Sequence, residues 1–129
     1  MRSPRHQPAI LILCALAPAC AGHTSPKDSS RGDPNVITQE QIIQHHFTNA
    51  YAAVEALHSN WLQTRGPDSF SAPTQVLVYV DDTRLGGIAT LRSIAAADVF
   101  FIRHYDGVSA TARWGLGHGQ GVIFVATRP

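Results

Sequence analysis

The sequence predicts a small α+β domain, an N-terminal helix followed by a three- to four-stranded mixed sheet with short helices. Three observations carry this expectation. A run from Thr38 to Trp61 repeats its apolar residues at helical spacing, three later apolar runs have the length of strands, and turn-forming residues separate them. The chain has 129 residues, enough for one domain. Hydrophobic residues at 44% against 15% charged give a globular balance, and a formal net charge of +1 leaves no electrostatic footprint for nucleic acid.

The fold is expected to start near Val36 and to occupy residues 36–129. Thr38 followed three places on by Gln41 is a capping-box pattern, which satisfies two orphan backbone donors at a helix start. Ile43, Phe47, Ala50, Val54, Leu57 and Trp61 then fall at spacings of three and four, along one helical face. Gln44, Asn49, Glu55 and Asn60 fall mostly on the other side. This is one long helix or two short ones broken near His46, ended by Arg65-Gly66-Pro67-Asp68. Val76 to Val80, Val99 to Tyr105 and Val122 to Thr127 read as strands, and their unbroken apolar character suggests cover on both faces. Leu91, Ile94 and Ala95 give a short helix between the first two, and Ser109 to Trp114 little more than a turn and a half between the last two.

Ahead of the domain, Arg2 and Arg5 precede nine apolar residues, Ala9 to Ala17, and small residues follow at Ala19 and Ala21. That is the layout of a secretory signal peptide. A bilayer span needs roughly 20 apolar residues, so this stretch is too short to be one. Of the two cysteines, Cys14 lies inside the apolar stretch and Cys20 at the cleavage point, so a processed chain keeps one thiol and forms no internal disulfide. The stretch resembles a bacterial lipoprotein signal over residues 1–19, with Cys20 acylated as the first mature residue. Such signals prefer Leu three places before the cysteine, where this chain has Ala17. Ordinary cleavage after Ala21, guided by Ala19-Cys20-Ala21, is the competing reading. Ala21 after the cysteine, rather than Asp, implies sorting to the outer membrane, with the protein on its periplasmic face. Residues 20–35 are polar, rich in Ser, Pro, Gly and Asp, and read as a flexible tether.

Gly115, Gly117, Gly119 and Gly121 alternate strictly before the last strand. A dinucleotide fingerprint needs its third glycine where Gln120 stands, and it needs a helix after the loop to face the phosphate. A strand follows instead, and no Lys-Ser or Lys-Thr makes a Walker loop. These glycines are expected to serve backbone shape, with at least one of Gly115 and Gly121 sensitive to alanine and Gly117 and Gly119 more tolerant.

Taken together, Val80-Asp81-Asp82, Ala97-Asp98-Val99, Ser109-Ala110-Thr111, Trp114-Gly115, Gly121-Val122-Ile123 and Thr127-Arg128 occur in an order and spacing that resembles the second half of the plug domain of TonB-dependent outer-membrane receptors, over residues 76–128. The resemblance implies the plug's fold. Asp82 departs from the family's Val-Asp-Gly, although Asp tolerates a left-handed turn. No barrel sequence follows Thr127-Arg128 and no TonB-contacting segment precedes the domain, so the resemblance is expected to carry fold without transport.

No residue is expected to be catalytic, to bind a cofactor or to hold a metal. His45 and His46 are neighbours about 100° apart around a helix, where metal ligands favour i and i+4. His104 and His118 are the other pair able to meet in space. Asp81-Asp82 reads as a turn rather than a catalytic carboxylate pair, and no serine has the G-x-S-x-G setting of a nucleophile. Trp61, Trp114, Phe100, Phe101 and Phe124 read mainly as core. Phe100 and Phe101 should point to opposite faces of a strand, so that one of them, beside Arg103 and Trp114, is a candidate contact for a protein partner. The expectation is therefore a non-catalytic envelope lipoprotein that binds a protein or ligand; a small periplasmic enzyme or metal binder on the same fold is the alternative. The two differ in what they require: an exposed apolar patch in the first case, a pocket gathering His and Asp residues in the second.

Overall fold

A computed structural model describes residues 32–66 and 75–128, which form a small α+β domain. The expected signal segment, the expected acylation site Cys20, most of the expected tether and the stop signal Pro67-Asp68 lie outside the described residues.

Strand β1 (Val36–Thr38) leads directly into helix α1 (Gln39–Gln44) through the capping box. The Thr38 amide donates to Gln41 Oε1 at 2.9 Å, and the Gln41 amide donates to Thr38 Oγ1 at 3.4 Å. Only six residues later the helix ends. His46 takes the left-handed conformation (φ 53°), and Asn49 caps a second helix, α2 (Ala50–His58), by accepting from the Ala52 amide at 2.9 Å. The break resolves the one-helix-or-two question and shifts the phase of α1. Ile42 is 3% exposed and Ile43 62%, so Ile43 does not belong to the buried stripe expected for it. Ala50, Ala53 and Val54 do face the core, and a 3₁₀ turn (Ser59–Leu62) buries Trp61.

The sheet has five strands in the order β1-β4-β5-β2-β3, where β2 is Leu77–Val80, β3 Thr83–Gly87, β4 Phe101–Tyr105 and β5 Val122–Ala126. Strands β2 and β5 run parallel, and every other pair is antiparallel. The three apolar runs thus supply β2, β4 and β5. The two extra strands are the edges, and neither shows the apolar alternation by which a strand is read. The turn joining β2 to β3 is Asp81-Asp82, both left-handed at φ 47° and 74°. Two such residues match the twist of a tight hairpin. Asp81 also accepts from the Thr127 amide at 2.9 Å and from the Thr127 hydroxyl, tying the hairpin to the end of β5. Those bonds to its ionised form hold the Asp81 carboxyl below the usual carboxylate range.

Two 3₁₀ segments (Ile88–Ser93 and Ala96–Asp98) lead to β4, where the short helix was expected. Helix α3 (Gly107–Trp114) follows β4 and is longer than the turn and a half expected, because Asp106 caps it by accepting from the Ser109 amide at 2.8 Å. Side chains alternate through the sheet. Ile37, Ile102, Ile123, Val125 and Val78 pack under α1, α2 and Trp61, forming the larger core. On the other face Leu77, Tyr79 and Val122 are covered by Ala110 and Trp114 of α3. Strands β2 and β5 are buried on both faces, as their unbroken apolar runs suggest, whereas β4 buries only Ile102 and keeps Phe101, Arg103, His104 and Tyr105 partly exposed.

Candidate functional site

The second face of the sheet is covered by α3 over only part of its width. Toward β1 it continues as a row of aromatic rings. Trp114 lies 6.4 Å from Phe124 between centroids, Phe124 lies 6.1 Å from Phe101, and Phe101 lies 6.0 Å from Phe100. Phe100 is 37% exposed, while Phe101, Phe124 and Trp114 are half-buried. Phe100 and Phe101 do not diverge as a strand alternation demands. Strand β4 begins only at Phe101, and both rings line one groove with Val36, Thr38 and Arg103.

Two arginines border this row. Arg113 from α3 lies over Trp114 (4.8 Å), Tyr105 (5.4 Å) and Phe124 (5.5 Å), and it donates to the Tyr105 hydroxyl at 3.0 Å. Arg103 pairs with Asp33 at 3.3 Å, which brings the start of the described chain to the same face. Arg113 also pairs with Asp82 at 3.7 Å, and because both ion pairs are exposed they add little stability.

The glycine loop borders the opposite end of that face and closes on itself. His118 Nδ1 bonds the Gly115 carbonyl at 2.8 Å, and because a carbonyl only accepts, Nδ1 carries the proton. Nε2 is then the acceptor for the Tyr79 hydroxyl, 2.8 Å away. Both nitrogens are used, and His118 is a structural clasp. Gln120 reaches across the molecule, accepting from the Arg65 amide at 2.6 Å and donating to the Gly66 carbonyl at 2.7 Å. Gly115, Gly117 and Gly121 all have φ near +90°, so the loop does use glycine for shape. Gly117 is as strained a place for a side chain as Gly115, which corrects the tolerance expected of it.

On the other side of that loop is a cleft of about 860 Å³, walled by the segment after α2, the end of β4 and the first turns of α3. His104 stacks on Trp61 at 5.3 Å, and His58 stacks on the far face of the same indole at 4.2 Å. Burial lowers the His104 pKa first, with Arg65 and His58 adding to that effect and Asp106 opposing it. The imidazole facing the cleft is therefore neutral at pH 7. Asp106 stays ionised, its carboxyl held down chiefly by the Ser109 amide.

The remaining sequence candidates are dispersed. His45 stacks on Phe47 at 5.5 Å, while His46 makes the break after α1. His104 and His118 share no hydrogen bond or ring contact, one being held by Trp61 and the other by Tyr79. Among the described residues no group of three or more His, Cys, Asp or Glu is placed to hold a metal ion. No helix among them is long and apolar enough to cross a membrane. Sequence reasoning missed Arg65, Asp106 and the cleft, whose lining comes from three separated stretches without a shared motif. No protein-family model, no curated protein and no solved structure matches the chain.

Proposed function

We propose that this chain is a non-catalytic, plug-like binding module of the bacterial cell envelope, anchored through acylated Cys20 to the periplasmic face of the outer membrane, without transport activity of its own. Its partner is an envelope protein that docks on the open sheet face. The observation that carries the reading is the aromatic row from Trp114 to Phe100, partly exposed and bordered by Arg103 and Arg113. Aromatic and arginine side chains are the residues that dominate protein interfaces, and a contiguous exposed apolar patch marks such a surface. The order of elements, with a Val-Asp turn after β2 and a glycine link before β5, supports the plug-like assignment.

A photo-crosslinking residue placed at Phe100 should yield a discrete adduct in intact cells, and the same residue at Ala56 on α2 should not. Equal adducts at both places, or none at position 100, would remove the docking claim. The anchor is tested separately: Cys20→Ser should move the protein from the membrane fraction to the soluble periplasm. A second reading, a small periplasmic enzyme or metal binder, draws on the meeting of His104 and Asp106 at one cleft. It requires stoichiometric zinc binding or turnover that is lost in His104→Ala.

A further inference from the structure

We propose that the cleft beside His104 binds a zwitterionic amino compound, an α-amino acid or short peptide with free termini, its carboxylate on Arg65 and its ammonium on Asp106. This site stands apart from the aromatic face and does not depend on the anchor or on a docked protein.

The charges decide the ligand class. Arg65 and Asp106 line the same cleft, yet neither forms an ion pair among the described residues, where the pairs are Arg103–Asp33 and Arg113–Asp82. Asp106 caps α3 through the Ser109 amide and stays ionised at the edge of the cleft, an exposed carboxylate without a cationic side chain paired to it among the described residues. His104 lines the cleft with them, neutral at pH 7 because burial and Arg65 disfavour its cation. The wall thus presents one cation, one anion and an uncharged ring. A simple anion meets Asp106 as a repulsive neighbour, and a simple cation meets Arg65. A molecule carrying both charges matches both groups.

The rest of the cleft fits a peptide-like body. Its volume of about 860 Å³ is in the range of small-molecule sites, large enough for a dipeptide. Asn60, Gln63 and Thr111 line it and offer the donors and acceptors that a peptide group needs. The walls are also held in place. Trp61 fixes one face of His104, and the Gln120 side chain pins the backbone at Arg65 and Gly66. Gly107 packs so tightly on the Gly119 carbonyl that a Cβ there would collide with it. The backbone positions that carry the two charges are therefore set before a ligand arrives, which lowers the ordering cost of binding.

Isothermal titration of the purified protein at pH 7.5 with alanyl-alanine tests this, alongside the N-acetylated and C-amidated forms of the same dipeptide. Saturable one-to-one binding of the free dipeptide is expected, weakened roughly tenfold or more by blocking either terminus. Asp106→Asn keeps the helix cap, since Asn caps as well as Asp, and removes only the charge. It should erase the preference for a free ammonium while leaving the preference for a free carboxylate, and Arg65→Gln should do the reverse. Circular dichroism of both variants establishes that each is folded. Equal binding of blocked and free dipeptides, no saturable binding by the folded parent, or unchanged preferences in both folded variants would each overturn the proposal.

Discussion

Gly107 and Gly121 sit where two backbones come closer than any side chain permits. A Cβ on Gly121 would stand 2.6 Å from the Tyr105 carbonyl oxygen, at a φ of +94° that already disfavours L side chains. A Cβ on Gly107 would meet the Gly119 carbonyl. Gly115 and Gly117 carry φ of +89° but have open space around the missing Cβ. The consequence is a graded series. Gly115→Ala and Gly117→Ala should each cost about 1 kcal/mol, the strain of the left-handed backbone alone. Gly107→Ala and Gly121→Ala should each cost about 3 kcal/mol or more, because a main-chain oxygen must move as well. Urea midpoints of the four variants measure the difference, and nearly equal losses across the series would contradict it. That glycine was needed here for shape was legible in the sequence from the strand that follows the loop. Which glycine mattered most was not, because the crowding comes from Tyr105 and Gly119, distant or unmarked positions that no local pattern names.

At the level of elements, the break at His46 separates two helices that the periodicity alone joins. A continuous helix would place Ile43, Phe47, Ala50 and Val54 on one stripe; the left-handed His46 resets the phase, and Ile42 becomes the buried residue of α1. Ile42→Ala should therefore destabilise by about 2–4 kcal/mol, while Ile43→Ala should change stability by less than about 0.5 kcal/mol. Thermal denaturation of the pair checks this, and similar losses would restore the single-helix phase. The capping box, the α2 stripe and strands β2, β4 and β5 were all legible, since each rests on local chemistry or an unbroken apolar run. Strands β1 and β3 were not. β1 is three residues long and shares Thr38 with the helix cap, and β3 (Thr83–Gly87) is mostly exposed and ends in two glycines. Their pairing comes from neighbours in the sheet rather than from their own pattern.

For the whole molecule, acid stability should follow the two histidines that clasp Trp61. Both have pKa values lowered from the ordinary imidazole value of 6.5, His58 by burial and His104 by burial together with Arg65 and His58. A base whose folded pKa is depressed takes up its proton more readily when unfolded, so the unfolded state gains as pH falls through 6.5. Stability should be full above about pH 6.5 and decline below it, toward the folded-state values. Asp81 and Asp106, both lowered from 3.8, contribute a second loss that begins only as pH falls below that value. Urea midpoints between pH 7.5 and 5 should drop in the parent and drop less in His104→Gln; an identical slope in the two proteins would assign the effect elsewhere. Neither the clasp nor the cleft beside it could be read along the chain. His58, Trp61, Arg65, His104 and Asp106 belong to segments that meet only once the sheet has formed.

The position of β5 has a consequence for timing. It is the last strand in sequence, yet it lies in the middle of the sheet, with β4 on one side and β2 on the other. Until residues 122–126 arrive, β1–β4 and β2–β3 are two separate ribbons whose inner edges, β4 and β2, lack a strand to pair with. A chain synthesised from its N-terminus therefore cannot close the five-stranded sheet until its last described strand has been made. Insertion of β5 is thus the step that turns two ribbons into one sheet, and it comes after every other described strand has been made.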